Sequence, residues 1–301
     1  LNSIEARLLP YLVFINLLWG GNVVSIKLGM GEISPITMAT FRFLIGGSAI
    51  FFYAALRRIA LRLARGEIFL HLMNGLLFAV QIALFYLGTF RTSASHASVL
   101  INTHLFFVAV LAHFFILHDR LSARKIFGLT LAFLGAVVLF MDRPERAMEK
   151  VSLLGNGFVL VSAFVLAVKT VYIKRLIERI DPVKVVFWEM AIGVPLLGMV
   201  AFFSGEGIPD QATPRLIGAM LYQGLVVGAF CFVASTVLLK RYAASSIASF
   251  SVLVPLFGVT LSHFILGDPL TPHLTIGGGM IILGIGIVNV RWPLIPPERG
   301  F

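Results

Sequence analysis

The sequence predicts an all-α membrane protein: ten transmembrane helices arranged as two inverted five-helix repeats, with N- and C-termini cytoplasmic. Three observations predict it. The 301 residues are 58% hydrophobic and 13% charged, where a soluble domain carries roughly 25% charged residues, and the mean hydropathy is +0.96. The apolar residues fall into ten stretches of near-spanning length. The chain is also written twice: FILHDRL at 115–121 returns as FILGDPL at 264–270, with five of seven positions identical and 149 residues between copies.

The stretches are approximately 11–30, 36–56, 68–88, 94–117, 125–141, 152–173, 183–203, 216–239, 245–266 and 273–290. Each is near the ~20 residues that carry a helix across ~30 Å of hydrocarbon. Residues 125–141 alone would pass for a buried core helix; ten such stretches in succession set that reading aside. Hydrocarbon leaves backbone polar groups unsatisfied, so the spans are expected to be helices. Period-2 alternation is absent, which argues against a β-barrel. Residues 11–30 match 158–177 through Lys27 and Lys174, so they are expected to remain as the first span rather than be cleaved.

Further pairs extend the repeat: Pro35/Pro182 and Gly46/Gly193 at an offset of 147, Gly75/Gly224 at 149, Ser95/Ser246 and Ser98/Ser249 at 151. A unit near 150 residues is too long for a solenoid and reads as two fused halves. Their limits are 1–141 and 151–301, joined by the mixed-charge linker 142–150. With the N-terminus inside, sixteen Lys and Arg fall on the cytoplasmic side and five on the other, so the positive-inside rule sets the orientation. Five spans per half is an odd number, so the second half is inserted upside down. Arg120, Arg124 and Lys125 of the first copy become Pro269, His273 and Leu274 of the second, as the change of side requires. Inverted halves place a substrate site at their interface, near mid-membrane. One chain supplies both halves, so a monomer is sufficient.

Composition and motifs exclude other classes. The net charge of +10 is orientation information and attraction to the lipid bilayer, with no nucleic-acid partner implied. A single cysteine, Cys231, allows no internal disulfide. No GxxxxGK[ST] loop is present, which disfavours ATP-driven pumping. His96, His104, His113 and His118 lack the close ligand sets of a metal site, and no cofactor is indicated. An intramembrane enzyme would need a nucleophile–base set. Ser and His share span 4, but no GxSxG and no orienting acid accompany them, so the reading is not an enzyme.

Polar side chains inside spans are costly, and each is a functional candidate until it is given a partner. Asn74, Phe78, Gln81 and Phe85 share one face of span 3. Ser95, Ser98, Asn102 and His113 share a face of span 4, and Ser246 and Ser249 repeat its start in span 9. Spans 1, 6, 7 and 8 add Trp19, Asn22, Lys169, Tyr172, Trp188, Gln223 and Ser235. Two readings stand side by side: helix packing through small and hydrogen-bonding residues, or lining of a cavity. The candidate substrate-binding set is Trp19, Asn22, Phe78, Gln81, Phe85, Ser98, Asn102, Lys169, Tyr172, Trp188, Ser235 and Ser249. Its amides both donate and accept, as a zwitterion requires, and its aromatics suit apolar or aromatic substrates. Tyr86 and Tyr172 also fit interfacial aromatics, Trp292 fits an anchor, and Lys27 is placed to snorkel.

Arg42 and Glu189 occupy equivalent positions at the 147 offset. Topology puts them at different depths, which argues against a direct pair. Arg42 has two readings, a carboxylate holder or a snorkelling cation. Glu189 is the one carboxylate away from a span end, which makes it the candidate for proton coupling; Lys169 is its competing ion-pair partner. Facilitated diffusion stands beside antiport.

LWGGNVVSIKLG (18–29), SPITMATFRFLIG (34–46), FYLGTFRTSASHASVLINT (85–103), FILHDRLSARKIFGLTLAFLGAVVL (115–139) and the second copy at 239–288 carry a resemblance. The chain resembles the ten-span EamA proteins of the drug/metabolite transporter superfamily, nearest to bacterial aromatic amino acid exporters of the YddG type. The resemblance implies alternating-access export of amino acids, aromatic or neutral, and related metabolites across the bacterial cytoplasmic (inner) membrane. Nucleotide-sugar or drug export is the alternative within the superfamily. One departure concerns span 4. The second copy carries Pro255, and the family usually has a matching proline in span 4, where this chain has His104. The replacement either removes a kink or places a polar group in the cavity, and His104 joins Arg42 and Glu189 as a coupling candidate.

Overall fold

The computed structural model describes residues 9–115, 123–142, 152–209, 211–241, 251 and 253–289, and every regular element among them is helical. In chain order these are α1 (Leu9–Gly29), α2 (Pro35–Leu56), a 3₁₀ turn (Arg65–Glu67), α3 (Ile68–Phe90), α4 (Ala94–Asn102), α5 (His104–Phe115) and α6 (Ala123–Phe140). There follow α7 (Leu153–Leu176), α8 (Pro182–Phe203), α9 (Pro214–Leu221), a π-helical segment (Tyr222–Cys231), α10 (Phe232–Arg241), α11 (Leu253–Leu266) and α12 (Pro272–Asn289).

Local sequence sets the starts. Pro35, Pro182, Pro214 and Pro272 open their helices, where the missing N–H costs nothing and φ is already helical. The residue before three of them caps the helix. Asp181 accepts from Val183 N at 2.8 Å, Thr213 Oγ1 from Leu216 N at 3.2 Å, and Thr271 Oγ1 from Leu274 N at 3.0 Å. Six helical stretches are long and apolar enough to cross a membrane, and Ile126–Leu139, Leu253–Leu266 and Pro272–Ile287 are shorter apolar helices. Phe52, Phe69, Phe127, Phe203 and Phe264 each expose more than half of their surface. Water penalises so apolar an exterior; lipid does not.

The helices pack in a two-fold pattern. Take α1, α2, α3, α4–α5 and α6 as partners of α7, α8, α9–α10, α11 and α12. The α1–α11 contact then maps onto α7 with α4 and α5, and α3–α8 maps onto α2 with the π segment. The α2–α8, α4–α11 and α6–α12 contacts map onto themselves. Glycine makes the last of these possible. A Cβ on Gly135 would lie 2.6 Å from Gly277 O, and a Cβ on Gly277 would lie 2.7 Å from Gly135 O. Backbone meets backbone here, so no side chain fits.

Two expected spans differ from single α-helices. The stretch 94–117 breaks at Thr103 even though no proline is present. Three successive side chains bond back to carbonyls of the previous turn: Asn102 Nδ2 to Ser98 O at 2.7 Å, Thr103 Oγ1 to Leu100 O at 2.6 Å, and His104 Nδ1 with Ile101 O at 3.0 Å. Such bonds offer the backbone an alternative to the helical ladder. The stretch 216–239 carries the π segment, which brings Gly224 and Gly228 against Gly46: a Cβ there would lie 3.0 Å from Gly224 O and 3.5 Å from Gly228 Cα. The linker beyond Asp142, the turn containing Asp119, Ser246, Ser249, Trp292 and both termini lie outside the described residues.

Candidate functional site

A cavity of about 340 Å³ lies among α1, α2, α3, α4–α5, α7, α8, α10 and α11, and so takes its walls from both halves of the chain. It reaches from the middle of the bundle toward one end: Leu12 near the start of α1, Ile173 near the end of α7 and Leu238 near the end of α10 all line it. The other end is tied shut. Ser95 N donates to Asp268 Oδ2 at 2.8 Å, Thr92 Oγ1 to Asn156 Oδ1 at 2.5 Å, and Thr37 N to Glu206 Oε2 at 2.7 Å. Thr271 Oγ1 donates to Asp142 Oδ2, which also lies 3.3 Å from His96 Nε2.

Of the expected substrate-binding residues, Trp19, Asn22, Gln81, Phe85, Ser98, Asn102, Lys169 and Ser235 line this cavity, as do Arg42, Glu189 and His104. Trp19 Nε1 donates to Ser235 Oγ at 3.2 Å, joining α1 to α10 across the wall. Gln81 Nε2 donates to Ser162 Oγ at 3.1 Å. Ser98 Oγ and Asn22 Oδ1 are buried without a hydrogen-bond partner among the described residues.

Three expected residues are not on the wall. Phe78 is fully buried against Phe43, with ring centroids 4.6 Å apart, because its partner position Gly193 leaves room for the ring. Tyr172 turns away and donates to Leu70 O at 3.1 Å, and Trp188 Nε1 donates to Leu61 O at 2.7 Å. The first ties α7 to the start of α3, and the second ties α8 to the segment between α2 and α3. Ser249 lies outside the described residues. Lys27 is buried rather than snorkelling. Tyr86 is no interfacial ring; it is fully buried and holds a charged group.

That group is Arg42, 1% exposed. Its Nη1 donates to Tyr86 OH at 2.9 Å, Tyr86 OH donates to Gln223 Oε1 at 2.8 Å, and Gln223 Nε2 donates to Ser25 O at 3.0 Å. The Phe43 ring lies 4.5 Å from the guanidinium carbon, a cation–π contact. Arg42 Nε has no hydrogen-bond partner among the described residues.

Glu189 is held quite differently. Its Oε1 lies 2.8 Å from Lys169 Nζ, and its Oε2 accepts from Asn74 Nδ2 at 3.1 Å. Lys169 Nζ also lies 4.9 Å from the Phe78 ring and 5.6 Å from the Phe232 ring. Asn22 stands in sequence to Lys169 as Arg42 does to Glu189, at the same 147-residue offset. One half therefore presents an amide and a cation where the other presents an ion pair. Nearer the cavity's end of the bundle, Lys184 Nζ pairs with Glu67 Oε2 at 2.6 Å.

The sequence reading missed Asn16, Thr170, Phe232, Thr236 and Ser251 on the cavity wall. Asn16 is three residues before Trp19, on the same helical face, so the signal was present. The roles of Tyr86 and Gln223 in holding Arg42 join helices distant in sequence, and no local spacing reports them.

The EamA-like transporter family model matches residues 8–141 and again 153–290. A transporter of Bacillus subtilis is 30% identical, covering 95% of this chain and 93% of that protein. A probable amino-acid metabolite efflux pump of Escherichia coli is 26% identical, covering 93% and 94%, and a transporter of Archaeoglobus fulgidus is 27% identical, covering 91% and 94%. One solved structure superposes with a TM-score of 0.67 at 17% identity over 92% of this chain and 96% of that one, a likeness of fold. A cavity that gathers polar and charged side chains among apolar ones inside an apolar helical bundle, and a family match along nearly the whole length, lead to one conclusion: the chain belongs to the EamA-like transporter family and is a multi-pass membrane transporter.

Proposed function

We propose that the protein exports amino acids, aromatic and neutral, and related metabolites across a bacterial cytoplasmic membrane. It does so by alternating access, through the cavity between two inverted five-span repeats with both termini cytoplasmic. The observation that carries this reading is the cavity itself: polar and aromatic groups from both halves converge there, and it reaches toward one end while the other end is closed. The double family match and the two-fold packing of the helices support an inverted repeat. The Escherichia coli relative named for amino-acid metabolite efflux supports the substrate class.

On this orientation Leu12, Ile173 and Leu238 stand toward the cytoplasm, and the ties at Asp142, Asp268 and Glu206 close the periplasmic side. Alternating access then requires those ties to part while the opposite end closes. Both oxygens of Glu189 are already satisfied, by Lys169 and Asn74, which favours facilitated flux over proton antiport.

The test is transport in proteoliposomes without ATP, using labelled amino acids, sugars and cationic drugs. Amino acids are expected to move above the rate of empty vesicles, whatever the pH gradient. A panel in which no amino acid exceeds that rate would overturn the reading.

A further inference from the structure

We propose that Arg42 is the anchor for a substrate carboxylate, and that the cavity selects its cargo by that carboxylate rather than by an ammonium group. This deepens the proposed function and rests on the cavity being the transport site.

The argument starts from charge. Arg42, Lys169 and Glu189 line the cavity. Lys169 and Glu189 cancel each other at 2.8 Å. Asn74 takes the second oxygen of Glu189, so both carboxylate oxygens are engaged and the charge an ammonium would seek is already paired with Lys169. Arg42 has no such partner: no Asp or Glu lies within ion-pair distance of it among the described residues. Arg42 is 1% exposed, and its Nε is without a hydrogen-bond acceptor among the same residues.

The network behind Arg42 fixes its position without neutralising it. Each hydrogen bond is donated away from the guanidinium: Arg42 to Tyr86, Tyr86 to Gln223, Gln223 to the Ser25 carbonyl. All three acceptors are neutral. A buried cation held only by neutral groups carries a large desolvation cost, which an anion removes. A guanidinium presents its donors in a fork that matches a carboxylate. Trp19 and Phe85 on the same wall supply apolar surface for the rest of the molecule.

The cargo class is therefore compounds with one carboxylate and an apolar or aromatic body, with or without an amino group. Deaminated acids belong to it as fully as amino acids do. Amines without a carboxylate do not.

Binding to the purified chain in lipid nanodiscs tests this, with three ring-matched probes: phenylalanine, 3-phenylpropionate and phenethylamine. The acid and the amino acid are expected to bind within about threefold of each other, and the amine at least about tenfold more weakly. Arg42→Gln is expected to weaken the first two by about ten- to hundredfold and leave the amine unchanged. Arg42→Lys, which keeps the charge and loses the fork, is expected to fall between. Tyr86→Phe, which keeps the whole guanidinium but frees Nη1, is expected to weaken the acid by a few-fold. If melting shows that Arg42→Gln does not fold, the wild-type ranking together with Arg42→Lys and Tyr86→Phe decides.

An amine that binds as well as the acid, or a folded Arg42→Gln that keeps the acid's affinity, would overturn the proposal. So would chloride that competes with the acid at equal affinity, since Arg42 would then be an inorganic-anion site. Amino acid flux that survives Arg42→Gln defeats the anchor and leaves the exporter standing. Acid binding that requires Arg42, in a protein that moves nothing, defeats the exporter and leaves the anchor.

Discussion

Lys169 Nζ and Glu189 Oε1 meet at 2.8 Å inside the bundle, with side chains 4% and 1% exposed. The pair joins α7 to α8 at the wall of the cavity. Removing one partner of a buried pair strands the other charge, at about 3–5 kcal/mol. Glu189→Gln and Lys169→Met are each expected to lower stability by that amount in thermal melts of the detergent-solubilised protein. The double variant is expected to recover most of the loss. If the singles melt like the wild type, the pair does not carry this burden.

The break in the fourth span predicts an asymmetry between neighbouring prolines. His104 is the first residue of α5, where a proline has little to lose. His104→Pro is expected to fold within about 1 kcal/mol of the wild type, giving up one side-chain bond. Val108→Pro, one turn further in, is expected to cost about 3 kcal/mol or more. Equal melting of the two would contradict the break at Thr103.

Helices α6 and α12 touch through backbone at Gly135 and Gly277. A methyl on Gly135 meets a carbonyl that has no side-chain freedom to yield, so Gly135→Ala is expected to destabilise by about 1–3 kcal/mol through overpacking. Gly279 has nothing within 4 Å of an added Cβ. Gly279→Ala is the matched control, expected to be neutral or slightly stabilising through helix propensity.

At the tied end, Asp142 is 3% exposed and accepts from Thr271, with His96 3.3 Å away. Asp142→Ala leaves Thr271 Oγ1 without that acceptor and is expected to cost about 1–3 kcal/mol. His273 is 49% exposed and 3.7 Å from the same carboxylate. At such an exposed, loosely held position, His273→Ala is expected to change stability by less than about 0.5 kcal/mol. The two melts separate a buried tie from a surface contact.

Much of this was legible in the sequence because hydrocarbon imposes length and composition directly. The prolines at 35 and 182 mark helix starts on the page as they do in space. Trp19, Asn22, Gln81 and Asn102 were findable because a polar group inside an apolar span needs a reason. Phe78 and Trp188 misled, because an aromatic side chain looks the same in sequence whether it faces a cavity or a glycine. Phe78 packs where Gly193 leaves space, and Trp188 bonds a loop carbonyl. The π segment at Tyr222–Cys231 was not legible; it arises where Gly224 and Gly228 meet Gly46, a contact between distant parts of the chain. The partner of Arg42 was hidden for the same reason.

Counterflow tests the central claim, a carrier that exposes one cavity to each side in turn, most directly. Proteoliposomes are loaded with unlabelled phenylalanine or left empty of it, and uptake of labelled phenylalanine is followed without ATP or an ion gradient. A carrier returns faster when loaded, so internal substrate is expected to accelerate uptake and to drive a transient accumulation above equilibrium. Uptake indifferent to internal substrate, or absent altogether, would contradict the account.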